Sequence, residues 1–194
     1  QNCPDSLYFS AILSENNRIM SQKETPMLHV CSLAHLPGTV QATGASHVIT
    51  VMADVEKVQR PPSIQQENHL VISMDDIIAE ADGFTAPDVE HVERVLTFGR
   101  NWDRAAPMVI HCYAGISRST ASAFAIACAL NPGRAESQIA RCIRNASPSA
   151  YPNRLIVTHA DRLLGRDGRM VRALDEMGPG NMTIEGRPFR IDLD

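Results

Sequence analysis

Apolar and polar positions change rhythm twice along the chain. Residues 1–26 show no period at all. From Met27 onward, four short runs rich in Val, Ile and Leu stand out: Met27 to Ser32, Ser46 to Met52, His69 to Met74 and Met108 to His111. Each is bounded by turn-forming residues, the pattern of buried strands. Between the third and fourth runs, Thr85-Ala-Pro-Asp88 predicts a helix start, with a capping hydroxyl, a proline in the first turn and an acid. Val89, Val92, Val95 and Leu96 continue it as an apolar stripe. Beyond Cys112 the period lengthens for good. Thr120 to Leu130 is Ala-rich and stops at Asn131-Pro132-Gly133. Glu136 to Asn145 and Asn153 to Leu164 predict two more helices, split by the Pro148/Pro152 turn. Arg169 to Met177 predicts a last one before Gly178-Pro179-Gly180. Strands interleaved with helices, then a helical half, predict an α/β fold with a mainly parallel central sheet flanked by helices.

The same pattern divides the chain. Residues 1–26, polar and aperiodic, read as an N-terminal extension, disordered or added to the natural chain, whose start would be Met20 or Met27. Residues 27–178 carry all the periodic segments, and 179–194 read as a C-terminal tail. At 194 residues one core is expected. A formal charge of -4 without any basic block argues against nucleic acid or a membrane surface as partner. Lys23 and Lys57 are the only lysines, an arginine bias associated with GC-rich bacterial genomes. The five cysteines form no C-x-x-C pair, so a reducing cytoplasm is expected rather than a disulfide framework. No apolar run reaches the ~18 residues of a membrane span.

The chemistry concentrates in Val109-Ile-His-Cys-Tyr-Ala-Gly-Ile-Ser-Arg-Ser-Thr120. This segment leaves an apolar strand, crosses a short loop and enters a helix. A helix N-terminus presents unpaired N–H groups and the positive end of the macrodipole, so it binds anions. A loop curled there, formed by Tyr113, Ala114, Gly115, Ile116, Ser117 and Arg118, can aim several N–H groups at one phosphate. Gly115 permits the tight curl. In that field a cysteine is held as the nucleophilic thiolate, which marks Cys112. Arg118 offers a planar fork for two phosphate oxygens. Ser119 is placed to hydrogen-bond the sulfur, and His111 to orient the loop through its ring N–H. A buried strand end followed by a serine cap would leave the joint spacing unexplained.

These residues spell His-Cys-x5-Arg-Ser with glycine three after the cysteine. The motif resembles the signature of the cysteine-dependent protein tyrosine phosphatases, in their compact dual-specificity-like branch. Bacterial members look especially similar around His-Cys-Tyr-Ala-Gly-x-Ser-Arg-Ser-Thr. The layout fits from about Met27 to Gly165, including the turn at Asn153. The resemblance implies a phosphate monoester hydrolase acting on a phosphorylated protein or small phosphomonoester, without metal or cofactor, through a cysteinyl-phosphate. It also implies a general acid, an aspartate on a loop before the cysteine. Asp75, Asp76 and Asp82 precede Cys112 by 37, 36 and 30 residues. The pattern Leu-x-Ile-x-Met-x-Asp favours Asp76. Uncharged residues inside the loop favour a singly phosphorylated substrate over a phosphoinositide. A catalytically silent phosphate-binding module is the rival from another class, and the full set Cys112, Arg118, Ser119 and an Asp speaks against it.

The remaining titratable residues suggest no second site. His29, His35, His47, His69, His91 and His159 lack metal-ligand spacing. Cys31 closes the first strand and reads as a core residue, with a protective disulfide to Cys112 as the alternative.

Overall fold

The computed structural model describes residues 27–193; the N-terminal extension, 1–26, lies outside the described residues. Five strands form one sheet: β1 (Leu28–Ser32), β2 (His47–Val51), β3 (His69–Ile72), β4 (Met108–Cys112) and β5 (Phe189–Ile191). The order is β3-β2-β4-β1-β5. The four strands foreseen from the apolar runs are mutually parallel, and β5 pairs antiparallel with β1. Strand β4, Met-Val-Ile-His-Cys, lies between β1 and β2 with all five residues buried. A strand covered on both faces reads as an unbroken apolar run, which is why this one was legible.

Six helices accompany the sheet: α1 (Leu36–Thr43), α2 (Val89–Asn101), α3 (Arg118–Leu130), α4 (Glu136–Ala146), α5 (Arg154–Leu163) and α6 (Arg169–Met177). Every residue of α3 from Arg118 to Cys128 is buried. Its Ala and Ser side chains let the helix lie deep among Ile110, Val30, Ile156 and their neighbours in the main core. The opposite sheet face carries a smaller cluster of Cys31, Leu36, Val40, Val48, Ile64 and Val109, covered by α1.

Several boundaries depart from the sequence expectations, each for a local reason. Helix α2 is capped by Asp88, not Thr85. The Asp88 carboxylate accepts the His91 N–H at 2.8 Å, and the His91 ring accepts the Asp88 N–H. Pro87 keeps the residue before it out of the helix, and Thr85 is engaged elsewhere, as described below. In α2, Val92, Val95 and Leu96 are buried while Val89 stays exposed. Helix α3 starts at Arg118, two residues early, because the Ala121 N–H already closes a turn on the Ser117 carbonyl. Helix α1 was missed because Leu-Pro-Gly reads as a turn, yet proline is tolerated in a first turn. The segment 179–194, read as a tail, contributes β5 to the sheet, a correction. Three residues between Pro188 and Asp192 are too few to show a period.

Candidate active site

The parallel register sets Cys112 at the C-terminal end of the central strand, opposite Ser32 on β1. The chain then turns through Tyr113 to Ser117 and enters α3. Gly115 has φ +71°, and a side chain there would put its Cβ 2.7 Å from the backbone of Cys31 and Ser32. Both conformation and contact require glycine. Gly115→Ala is expected to cost at least about 1–2 kcal/mol from the backbone alone. Thermal unfolding checks this, with Tm falling roughly 2–4 °C per kcal/mol and turnover falling as the loop deforms.

Four of the loop carbonyls are tied by backbone N–H groups. The Tyr113 carbonyl accepts the Leu33 N–H, Ala114 that of Gly186, Ile116 that of Tyr151, and Ser117 those of Ala121 and Asn153. No cis peptide occurs among the described residues. A trans peptide directs its N–H opposite its carbonyl. The N–H groups of Ala114, Gly115, Ser117 and Arg118 therefore turn inward, and that of Gly115 points at Cys112 Sγ from 3.2 Å. Ser119 Oγ lies 3.1 Å from the same sulfur, which is almost wholly buried. The loop curls as a ring around one sulfur, with the Gly115 N–H and the Ser119 hydroxyl against it.

Arg118 is 8% exposed, and its Nη1 donates to the Met74 carbonyl at 2.8 Å. Its Nε is buried without a hydrogen-bond partner. Such an orphan donor needs an explanation, and an anion seated in the ring supplies one. Asp76 stands beside it, with Oδ2 3.8 Å from Arg118 Nε. Asp76 Oδ1 accepts from Ser117 Oγ at 2.7 Å and from Asn153 Nδ2 at 2.8 Å.

The other two aspartates do different work. Asp75 staples the loop shut: its carboxylate accepts the Thr85 N–H and its own N–H donates to the Thr85 carbonyl, both at 2.7 Å. Asp82 sits exposed in the turn at the loop's far end. Of the three, only Asp76 is drawn to the ring.

The structure places three further residues of this region. Strand alternation turns His111 to the sheet face opposite Cys112. Fully buried, its Nε2 lies 2.7 Å from Thr50 Oγ1, which in turn lies 2.8 Å from His69 Nε2. Burial pushes its imidazole down to about 4, so the ring is neutral. His111 braces strand against strand through Thr50, and its ring lies on the sheet face away from the phosphate loop's interior. Cys31 shares that opposite face, in the smaller cluster, and burial pushes its thiol up to about 12. It is a core residue, free and pointing away from Cys112. Tyr113 is 68% exposed, so its backbone rather than its ring belongs to the loop.

Sequence reasoning missed three supports. Asn153 was legible only as a helix start. Thr50 reaches His111 from another strand. Glu185 accepts a hydrogen bond from Ser32, and the adjoining Gly186 lies so close that a Cβ would sit 3.0 Å from the Gly115 carbonyl. Beside the ring opens a cavity of about 510 Å³ bounded by Asp76, Ile78, Ser117, Tyr151, Pro152 and Leu174, among others. Among the described residues no group of three or more His, Cys, Asp or Glu side chains gathers as a metal site would, and no helix is long and apolar enough to cross a membrane.

No protein-family model matches the sequence, and no curated protein does. Solved structures do. The PTP-2 phosphatase of Cydia pomonella is similar at 17% identity and a TM-score of 0.55, over 70% of this chain and 84% of that one. Human DUSP28 gives 17% and 0.55, over 73% and 94%. The human tyrosine phosphatase-like serine/threonine/tyrosine-interacting protein gives 17% and 0.55, over 74% and 99%. The chain thus shares its fold with these phosphatases of the dual-specificity kind and with the tyrosine phosphatase-like protein.

Proposed function

We propose that the chain is a phosphate monoester hydrolase of the protein tyrosine or dual-specificity type, working through a cysteinyl-phosphate. One observation carries this reading: a buried sulfur, a ring of inward N–H groups, an orphaned Arg118 Nε and the Asp76 carboxyl converge from two distant segments. Each suits one part of phosphoryl transfer. The Cys112 thiolate attacks phosphorus opposite the ester oxygen. The N–H ring and Arg118 hold the three equatorial oxygens, stabilising charge where it develops. As the P–O bond breaks, protonated Asp76 gives its proton to the departing oxygen. In the second step Asp76 takes a proton from water, the water oxygen bonds to phosphorus, and the S–P bond breaks. The Ser119 hydroxyl, 3.1 Å from the sulfur, stabilises the thiolate that leaves. Phosphate and free enzyme result.

The test is one panel. An aryl phosphate, phosphopeptides bearing phosphotyrosine, phosphoserine or phosphothreonine in one context, and phosphoinositides are assayed with and without EDTA. Turnover that is indifferent to EDTA is expected, because the donors that hold phosphate all belong to the chain. A loss restored by Zn²⁺ or Mg²⁺ would replace this mechanism with a metal-assisted one. Absence of turnover on every substrate would leave a phosphate-binding module.

A further inference from the structure

We propose that Asn153 is a positioning residue that locks the acid loop to the phosphate loop and selects the oxygen of Asp76 that carries the proton. This deepens, and rests on, the reading of the chain as a phosphatase.

Asn153 is buried at the N-cap of α5. Its Oδ1 accepts the N–H groups of Leu155 at 3.0 Å and Ile156 at 3.2 Å. Its Nδ2 donates to Asp76 Oδ1 at 2.8 Å and to the Ile77 carbonyl at 3.1 Å. Two donors on one side and two acceptors on the other fix the amide orientation. Its backbone N–H donates to the Ser117 carbonyl at 3.3 Å, next to the Tyr151 N–H on Ile116. One residue therefore touches helix, phosphate loop and acid loop together.

The consequence for Asp76 is specific. Its Oδ1 receives two donors, Asn153 Nδ2 and Ser117 Oγ, and so cannot also carry a proton toward either of them. The transferable proton belongs on Oδ2, the oxygen turned toward Arg118 and the phosphate ring. Without the amide, Ser117 alone holds Oδ1, the Ile77 carbonyl loses its donor, and the acid loop can drift. Misplacement of about 1 Å can cost on the order of 10²-fold in rate.

The cap and the brace can be separated. Ser and Asp are both good N-caps, and neither offers the amide donor. Asn153→Ser and Asn153→Asp are each assayed on aryl phosphates of graded leaving-group acidity, with Tm and pH–rate profile recorded. The expected result is a Tm close to wild type, a loss on the order of 10²-fold on phenyl phosphate, and a loss several-fold smaller on a dinitrophenyl phosphate. Asn153→Asp should be the more severe, since it sets a second carboxylate against Asp76. Unchanged turnover and unchanged leaving-group dependence at wild-type Tm would make Asn153 a helix cap only. An equal loss on all substrates would likewise overturn the proposal, because it would not pass through the proton. A wild-type enzyme that turns over none of these substrates would instead remove the phosphatase reading, and this inference with it.

Discussion

Cys112→Ser should abolish turnover of an aryl phosphate, by on the order of 10⁴-fold or more, as loss of a covalent nucleophile does. The serine hydroxyl is weakly nucleophilic at neutral pH, and no base faces it; Ser119 and the Gly115 N–H are the polar groups at the sulfur. The ring itself should survive, because its carbonyls are held by Leu33, Gly186, Tyr151 and Asn153 rather than by the sulfur. Binding of inorganic phosphate and Tm should therefore stay near wild type. Arg118→Lys should also be severe, about 10²–10³-fold, since a point charge cannot replace the fork at the transition state. A single ammonium nitrogen also cannot stand at both the Met74 carbonyl and the ring, as the separate nitrogens of the fork do. Steady-state kinetics with a thermal scan checks both, and substantial residual turnover in Cys112→Ser would sink the covalent mechanism.

Asp76→Asn should slow cleavage of a phenyl or tyrosyl phosphate by ~10²–10⁴-fold, the range of acid–base catalysis. The amide keeps an oxygen for Ser117 and Asn153 and removes only the proton, so the geometry is retained. A leaving group that is already acidic needs no proton, and its rate should fall far less. The pH–rate profile carries the same signature. The acid must be protonated to act, so the wild-type rate falls on the alkaline side, and that fall should vanish in the variant. Asp82→Asn should be silent. Asp75→Asn should loosen the loop through Thr85 and cost activity without changing leaving-group dependence. If Asp82→Asn shows the dependence and the flattened limb instead, the acid sits in the Ala-Asp-Gly turn.

The strand–turn–helix around Cys112 was legible because its parts are contiguous, and each constrains its neighbours' residue types. The surroundings of the candidate acids were not legible, because three aspartates fit the spacing and only tertiary contacts distinguish them. Asp75 is spent on Thr85, while Asp76 is fixed by Ser117 and by Asn153, 77 residues away in sequence. Asn153 carries the ordinary signature of a helix cap, and nothing in that signature announces a second use for the amide nitrogen. His111 was placed at the site by adjacency to Cys112. The two-residue period of a strand sends it to the other face, where its partner Thr50 belongs to a different run. Sequence shows what is local or periodic, and these contacts are neither.

The edge strand has a consequence for the order in which the protein assembles. β1 is among the earliest described segments to be synthesised, yet its outer edge waits for Phe189–Ile191, and the Ala114 carbonyl waits for Gly186. Pairings this distant in sequence form late, since the chain between them must be ordered first. Until then β1 offers an open edge on which another chain can pair. The brace on the ring and the closure of the sheet thus come from one C-terminal segment, and a nascent chain halted before Gly186 would carry Cys112, Arg118 and Asp76 without it.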